Sequence, residues 1–330
     1  MSLRFGLLLP HFGPHSTWDR VFGIGPRLEE LGFSGVYFRD QLGFTGGVSF
    51  ENPSHRFVDP FIAMSAVAAT TGLTVGMATL TPIRPPVLLS QMVGSLAYLA
   101  RGRMVLGVGL GGQPNAFRLA GLSIDDRVAL FEEMVAVLRA TSRPEASHRG
   151  PQIGFEGLTL DPGPPTDLEL LYCGSSLAAI RRAVRFTDGW FPGRCPFRVF
   201  DRLSERLREE AGAAGKTMRV AIVPLVSLDR NRERALAKVN VEGILEESRR
   251  KPAWRPDGPF HSADDLGGAL IAGNSDDVIA GLRQLEARGV DEVVLDLRER
   301  MDVYEESIEQ LGAEVIPSFV PRPNNEGSGG

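Results

Sequence analysis

Apolar and polar positions along the 330-residue chain alternate between two rhythms. Short runs that are apolar throughout read as strands buried on both faces. Longer stretches with an apolar residue every three or four positions read as helices with one buried side. The pattern predicts strands at Arg4–Leu9, Gly35–Phe38, Leu73–Ala78, Met104–Val108, Glu169–Tyr172, Gly189–Phe191, Arg219–Ser227 and Val290–Leu295. It predicts helices ending at Leu31 and spanning Pro60–Thr70, Val87–Ala100, Arg127–Ala140, Leu177–Phe186 and Phe197–Ala214. Eight such units with no break in composition predict an α/β fold, a single closed (β/α)8 TIM barrel in preference to an open sheet. The barrel domain is expected over residues 1–318, followed by a disordered tail at 319–330 with too little apolar area to fold. A small hairpin around Glu156-Gly157 is expected inside Pro151–Pro165. Loops 39–57 and 247–268 are long enough for lids.

Composition narrows the partners. A hydrophobic content of 43% supports a full core, and a net charge of -5 with dispersed Lys and Arg gives no footprint for nucleic acid or an anionic membrane. The first apolar run stops at Pro10, shorter than a signal segment or a membrane span, so a cytoplasmic protein is expected. Two cysteines, Cys173 and Cys195, make no disulfide framework, and His11, His55, His148 and His261 show no metal-ligand spacing, so no metal is expected.

The chemistry gathers at strand ends. The fourth strand dissolves into Gly107-Val-Gly109-Leu110-Gly111-Gly112, and the fifth ends at Gly174, with Ser175 and Ser176 opening the next helix. Glycines let a backbone approach a bulky ligand, and the free amides of a helix start suit a phosphate. Gly107, Gly109 and Gly112 also match the dinucleotide pattern G-x-G-x-x-G, but three strand–helix units precede them and Asp125 and Asp126 read as helix-capping groups, so that fold is set aside. The bland reading of Ser175 and Ser176 is an ordinary N-cap. His11 follows strand one, and Asp40 and Gln41 follow strand two, on the face where barrels place their chemistry. The competing role for Asp40 is an ion pair with Arg39 or Arg84. Trp190, at strand six, is a candidate cofactor contact whose alternative is the core.

Taken in order, several segments resemble the luciferase-like monooxygenase superfamily, which includes flavin monooxygenases and oxidoreductases dependent on the deazaflavin coenzyme F420. They are Phe5-Gly-Leu-Leu-Leu-Pro-His-Phe-Gly, Leu31 to Gln41, Pro86-Val-Leu-Leu-Ser-Gln, Leu99 to Gly109, Cys173-Gly-Ser-Ser, Asp188-Gly-Trp-Phe-Pro-Gly, and Ala272-Gly-Asn-Ser-Asp-Asp-Val leading to Gly289-Val-Asp-Glu-Val-Val-Leu. The resemblance implies a flavin-type ring in the barrel mouth, its phosphate held by Leu110, Gly111, Gly174, Ser175 and Ser176, with Gly109 beside them. It implies a non-proline cis peptide bulging from strand three at Ala78-Thr79, and polar groups His11, Asp40 and His55 nearest the reaction. Arg84, Arg194 or Arg56 would meet the anionic tail of F420. Sugar-phosphate dehydrogenases of this kind place an Asp-His pair and a glutamate where this chain has Asp40-Gln41 and Gly112, so that substrate class is not expected.

The compact length and the strand-three ending Ala78-Thr-Leu-Thr-Pro look like the deazaflavin branch. F420 is therefore the expected cofactor, with FMN the alternative. The expected activity is hydride transfer between reduced F420 and a small organic substrate. One alternative is an FMNH2-dependent two-component monooxygenase served by a separate reductase, its chemistry shielded from water by the loop from Gly43 to His55. Another is a flavin-binding barrel without catalysis. Pairing through outer helices into a homodimer is also implied.

Overall fold

The computed structural model describes residues 3–43 and 54–320. Most of the lid expected after strand two, and residues 321–330 of the expected tail, lie outside the described residues. Strands β1 (Arg4–Leu8), β2 (Gly35–Arg39), β3 (Thr74–Leu80), β4 (Met104–Val108), β5 (Ala146–Arg149), β6 (Gly154–Leu158), β7 (Glu169–Cys173), β8 (Gly189–Phe191), β9 (Arg219–Ile222), β10 (Leu225–Leu228), β11 (Leu270–Gly273) and β12 (Glu292–Leu295) alternate with helices. The α-helices are α1 (Gly25–Glu30), α2 (Pro60–Thr70), α3 (Pro86–Leu99), α4 (Pro114–Leu119), α5 (Arg127–Ala140), α6 (Leu177–Phe186), α7 (Phe197–Ala213), α8 (Arg232–Leu236), α9 (Val241–Arg250), α10 (Ser275–Glu286) and α11 (Tyr304–Gln310).

Strands β1, β2, β3, β4, β7, β8, β9 and β12 form a closed parallel barrel in that order, β12 returning to β1. It is the (β/α)8 barrel the periodicity predicts. Strand positions alternate between two buried sets. Leu8, Tyr37, Ala78, Val105, Leu171, Phe191, Ala221 and Val294 fill the interior. Leu7, Val36, Phe38, Met77, Leu106, Leu170, Trp190, Ile222 and Val293 belong to the larger core that includes the helices. Tyr37 occupies the middle because its neighbours lack side chains: a Cβ at Gly76 would lie 2.2 Å from its ring and one at Gly6 2.7 Å. Below it, Arg219 ion-pairs with Glu169 and Glu292, and Arg4 reaches Glu292 at 3.8 Å. These four residues begin β9, β7, β12 and β1 and form a charged floor.

Several details correct the sequence expectations. The hairpin is there, but its strands are β5 and β6 and it turns at 150–153, because the Glu133 carboxylate gathers the amides of Gln152 (3.3 Å) and Ile153 (3.1 Å). The run Arg219–Ser227 is two strands: Pro224 lacks an N–H, the chain leaves the barrel there, and β10 pairs with β11 in a separate two-stranded parallel sheet. The segment 247–268 is built from the end of α9 and two 3-10 helices, Pro252–Asp257 and Ala263–Leu266. Phe319 is buried, its ring 5.0 Å from that of Phe5, so the packed chain runs at least that far.

Candidate active site

The C-terminal ends of the barrel strands form a rim of short loops. His11 stands on it three residues past β1, but turned inward and fully buried among Phe12, Phe38 and Phe57. Nδ1 lies 3.0 Å from the Leu9 carbonyl, and Nε2 lies 3.0 Å from the Arg39 carbonyl and 3.2 Å from the Arg39 amide; in the neutral ring protonated at Nδ1, Nδ1 donates to Leu9 and Nε2 accepts the Arg39 N–H. Burial pulls its pKa from 6.5 to about 4. His11 thus ties the end of β1 to the end of β2.

Asp40 makes the pair with Arg84. Its Oδ2 accepts the Arg84 guanidinium at 2.6 Å and the amide and hydroxyl of Thr81 at 3.2 and 3.1 Å, while its Oδ1 is buried with no partner among the described residues. Arg84 is shared with Asp59, the N-cap of α2, at 3.4 Å, so it braces two loops. Gln41 donates to the carbonyl of Gly43 at 3.0 Å, and His55 is exposed on the far side of the undescribed stretch.

Strand β3 bulges where expected: its register against β4 shifts between Met77 and Leu80. The Ala78-Thr79 peptide there is trans, the one cis bond among the described residues being Asp161–Pro162. The Ala78 carbonyl accepts the Thr79 hydroxyl at 2.6 Å and the Cys173 thiol at 3.0 Å. Cys173 is held inert, burial pushing its thiol up to about 12. The same thiol explains Gly107, where a Cβ would lie 2.8 Å from Cys173 Sγ and 2.5 Å from the Met77 carbonyl. A Cβ at Gly109 would lie 3.2 Å from the Cys173 carbonyl, and Gly111 needs its φ of +72°. These glycines serve packing and a turn; Gly112, beyond them, has open space.

Gly174, Ser175 and Ser176 lie beside that stretch because β4 and β7 are neighbours, Val108 opposite Tyr172. Ser176 caps α6, accepting the Ala179 amide at 3.1 Å. The first-turn amides of Leu177 and Ala178 have no acceptor within the helix. Trp190 corrects an expectation. In a three-residue strand where Phe191 points inside, Trp190 points out, stacks on Phe200 of α7 at 5.3 Å, and donates its indole N–H to the Gly174 carbonyl at 2.8 Å. It supports the cradle from behind and does not face the mouth.

Residues 3–292 match the family model described as luciferase-like monooxygenase. The chain belongs to the luciferase-like monooxygenase family. It is 33% identical over 176 residues to an uncharacterised protein of Mycobacterium tuberculosis, covering 52% of this chain and 60% of that one. It is 25% identical over 240 residues to the FMNH2-dependent dimethylsulfone monooxygenase of Pseudomonas fluorescens, covering 70% of this chain and 64% of that one. The chain thus spans less than two thirds of the length of these curated relatives. Its fold superposes on an F420-dependent secondary alcohol dehydrogenase solved with an F420–acetone adduct, with a TM-score of 0.78, 17% identity, and coverage of 97% of this chain and 100% of that one.

Within this family member, a cluster of charges gathers at the ends of strands β2, β8 and β12; sequence reasoning names Arg39 only as a partner for Asp40 and Arg194 only as a contact for the cofactor tail, and passes over Asp296 and Arg298. Asp296, buried, joins Arg298 at 2.7 Å and Arg194 at 3.5 Å, and Arg194 reaches Glu247 at 3.4 Å. Burial, with Arg298 and Arg194 nearby, lowers Arg39 to about 9. Arg39 and Arg298 both lie over the Phe12 ring, at 4.5 and 5.2 Å. Next to this group, at the β1–β12 seam, lies a cavity of about 340 Å³ lined by Leu8, Pro10, Phe12, Asp296, Arg298 and Met301. That seam is opposite the β4–β7 cradle in the ring of strands. The cradle's donors, open helix amides and two serine hydroxyls, fit a phosphate.

Proposed function

We propose that this protein is an oxidoreductase that holds a flavin-type cofactor across the barrel mouth, F420 in preference to FMN, and reduces or oxidises a small organic substrate at the β1–β12 seam. The observation that supports the reading is the donor set of Ser175, Ser176 and the open first-turn amides at the start of α6, on the β4–β7 side of the barrel opposite the seam that carries the cavity. When bound, the ring supplies the redox chemistry; the protein binds, orients and excludes water. Ser175 and the α6 amides bind the phosphate. Asp40 Oδ1, buried and without a partner among the described residues, is the acceptor we assign to a ligand N–H or O–H. His11 and Arg84 act as positioning residues that fix the rim. Leu8, Pro10 and Phe12 give the substrate an apolar wall.

F420 is favoured by the strand-three ending Ala78-Thr-Leu-Thr-Pro and by the bulge there, while the trans Ala78-Thr79 peptide counts for the flavin branch. The dimethylsulfone enzyme favours the second reading, an FMNH2-dependent monooxygenase that takes reduced flavin from a partner reductase. A homodimer through the outer face of α2 and α3 accompanies either reading, and the expected location is the cytoplasm. Titration with F420 and with FMN, followed by fluorescence quenching, tests the site and picks the branch. Saturable binding of one or both is expected, and Ser175→Glu should weaken it by at least about tenfold through charge repulsion. Failure of both to bind, or full affinity in Ser175→Glu, overturns the cradle. Binding without turnover of any carbonyl or unsaturated substrate, with or without oxygen, leaves the non-catalytic barrel.

A further inference from the structure

Ser175 does not stand alone. Its Oγ accepts the indole N–H of Trp254 at 2.9 Å, across 79 positions of sequence. Trp254 belongs to the 3-10 helix that follows α9 and is buried. The Lys251 ammonium lies 4.0 Å above its ring centroid, and Phe260 flanks it at 5.8 Å. Arg202 on α7 anchors the segment through Asp257, at 2.6 and 2.7 Å, and through the Ala253 carbonyl at 3.0 Å. The indole is therefore held on its serine by a fixed frame.

A serine hydroxyl has one hydrogen and two lone pairs. The Trp254 N–H engages a lone pair, so the hydroxyl rotor must turn its hydrogen elsewhere, and among the described residues it donates to no acceptor. The next carbonyl inward, that of Gly174, is already engaged by the Trp190 indole at 2.8 Å. Two indoles thus pin the stretch that opens α6, and the Ser175 hydroxyl hydrogen joins the Ser176 hydroxyl and the open first-turn amides as a donor left for a ligand.

We propose that Trp254 is a positioning residue for an anion at the start of α6: it fixes Ser175 with its hydroxyl hydrogen directed at a cofactor phosphate. The role rests on the phosphate reading given above. It also makes the segment 251–257 part of the cofactor site, which places a specificity element far from the glycine and serine motifs.

The test compares ligands that share a ring and differ in the phosphate: FMN against riboflavin, and F420 against its deazaflavin riboside lacking the phospholactyl tail. Trp254→Phe keeps the ring and removes the donor. The expected result is a five- to tenfold loss of affinity for FMN or F420, the scale of one ordinary hydrogen bond because the variant loses the orientation of Ser175 and not the serine itself, with riboflavin or the riboside bound as before. The same substitution in a Ser175→Ala background should add nothing. Equal weakening of both ligands of a pair, as loosened packing would give, overturns the proposal, and so does no change in either.

A second readout covers a variant that fails to fold. In the wild-type protein the indole N–H resonance of Trp254, one of three tryptophans, should shift with FMN or F420 and stay fixed with riboflavin or the riboside. An unmoved resonance overturns the proposal. The underlying reading fails separately: if Ser175→Ala leaves the ratio of affinities within each pair unchanged, the phosphate does not lie there at all. If Ser175→Ala lowers the ratio and Trp254→Phe does not, only the role of Trp254 is lost.

Discussion

His11 shows how one buried side chain can look catalytic in sequence and act as a strut in the fold. Its position after β1 is where barrel enzymes place reactive groups, yet both nitrogens are used by backbone at the rim. In the unfolded chain the ring takes a proton below its ordinary 6.5, whereas the native ring resists until about 4. The unfolded state therefore binds more protons throughout that window, and native stability falls as pH drops from 6.5 towards 4, by about 3 kcal/mol at most. Urea unfolding from pH 7 to 4 should show this decline, and His11→Asn, less stable at pH 7, should show a shallower one. An identical pH profile in the variant would mean that the histidine titrates normally. Asp40 and Arg84 carry a related expectation. Arg84→Met leaves the Asp40 carboxylate buried beside Thr81 alone, which should cost roughly 3 kcal/mol, while Asp40→Asn in the same background should restore part of it in a double-mutant cycle.

At the scale of elements, the barrel was legible because its signals are local and repeated. The bounds of α2, α5 and α6 coincide with the periodic stretches, and each starts at a proline, an acidic turn or a serine cap. What stayed hidden depends on partners distant in sequence. β11 is a four-residue apolar run whose pairing with β10 exists only because Pro224 sends the chain out of the barrel. Of the site, the Gly174-Ser175-Ser176 corner could be read from a strand ending in glycine and hydroxyls. Arg39 and Arg194 were named singly, but their grouping with Arg298 around Asp296 could not be read, since three isolated arginines become neighbours only when β2, β8 and β12 close around one mouth. The signal that was available is their place just at or after a strand end. Tyr37 adds a prediction of this scale: Gly76→Ala drives a methyl into its ring and should cost about 2–3 kcal/mol by overpacking, read as a lowered denaturation midpoint. A Tyr37→Leu background should remove most of that extra cost.

At the scale of the whole molecule, the described residues of α2 and α3 present an exposed apolar face. Ile62, Leu88, Tyr98 and Leu99 are exposed along α2 and α3, beside a groove of about 430 Å³ that also includes Phe61 and Met92. If this face makes the proposed homodimer, sedimentation should give twice the monomer mass, and the pair Leu88→Lys with Tyr98→Glu should give monomers that remain folded. A wild-type monomer at every concentration would remove the dimer. The charged floor and the packed interior above it bear on how the proposed site is reached. With Arg219, Glu169 and Glu292 across the lower end and Tyr37 filling the middle, the described residues leave no passage through the barrel from below, so on the proposed reading cofactor and substrate both arrive from the mouth side.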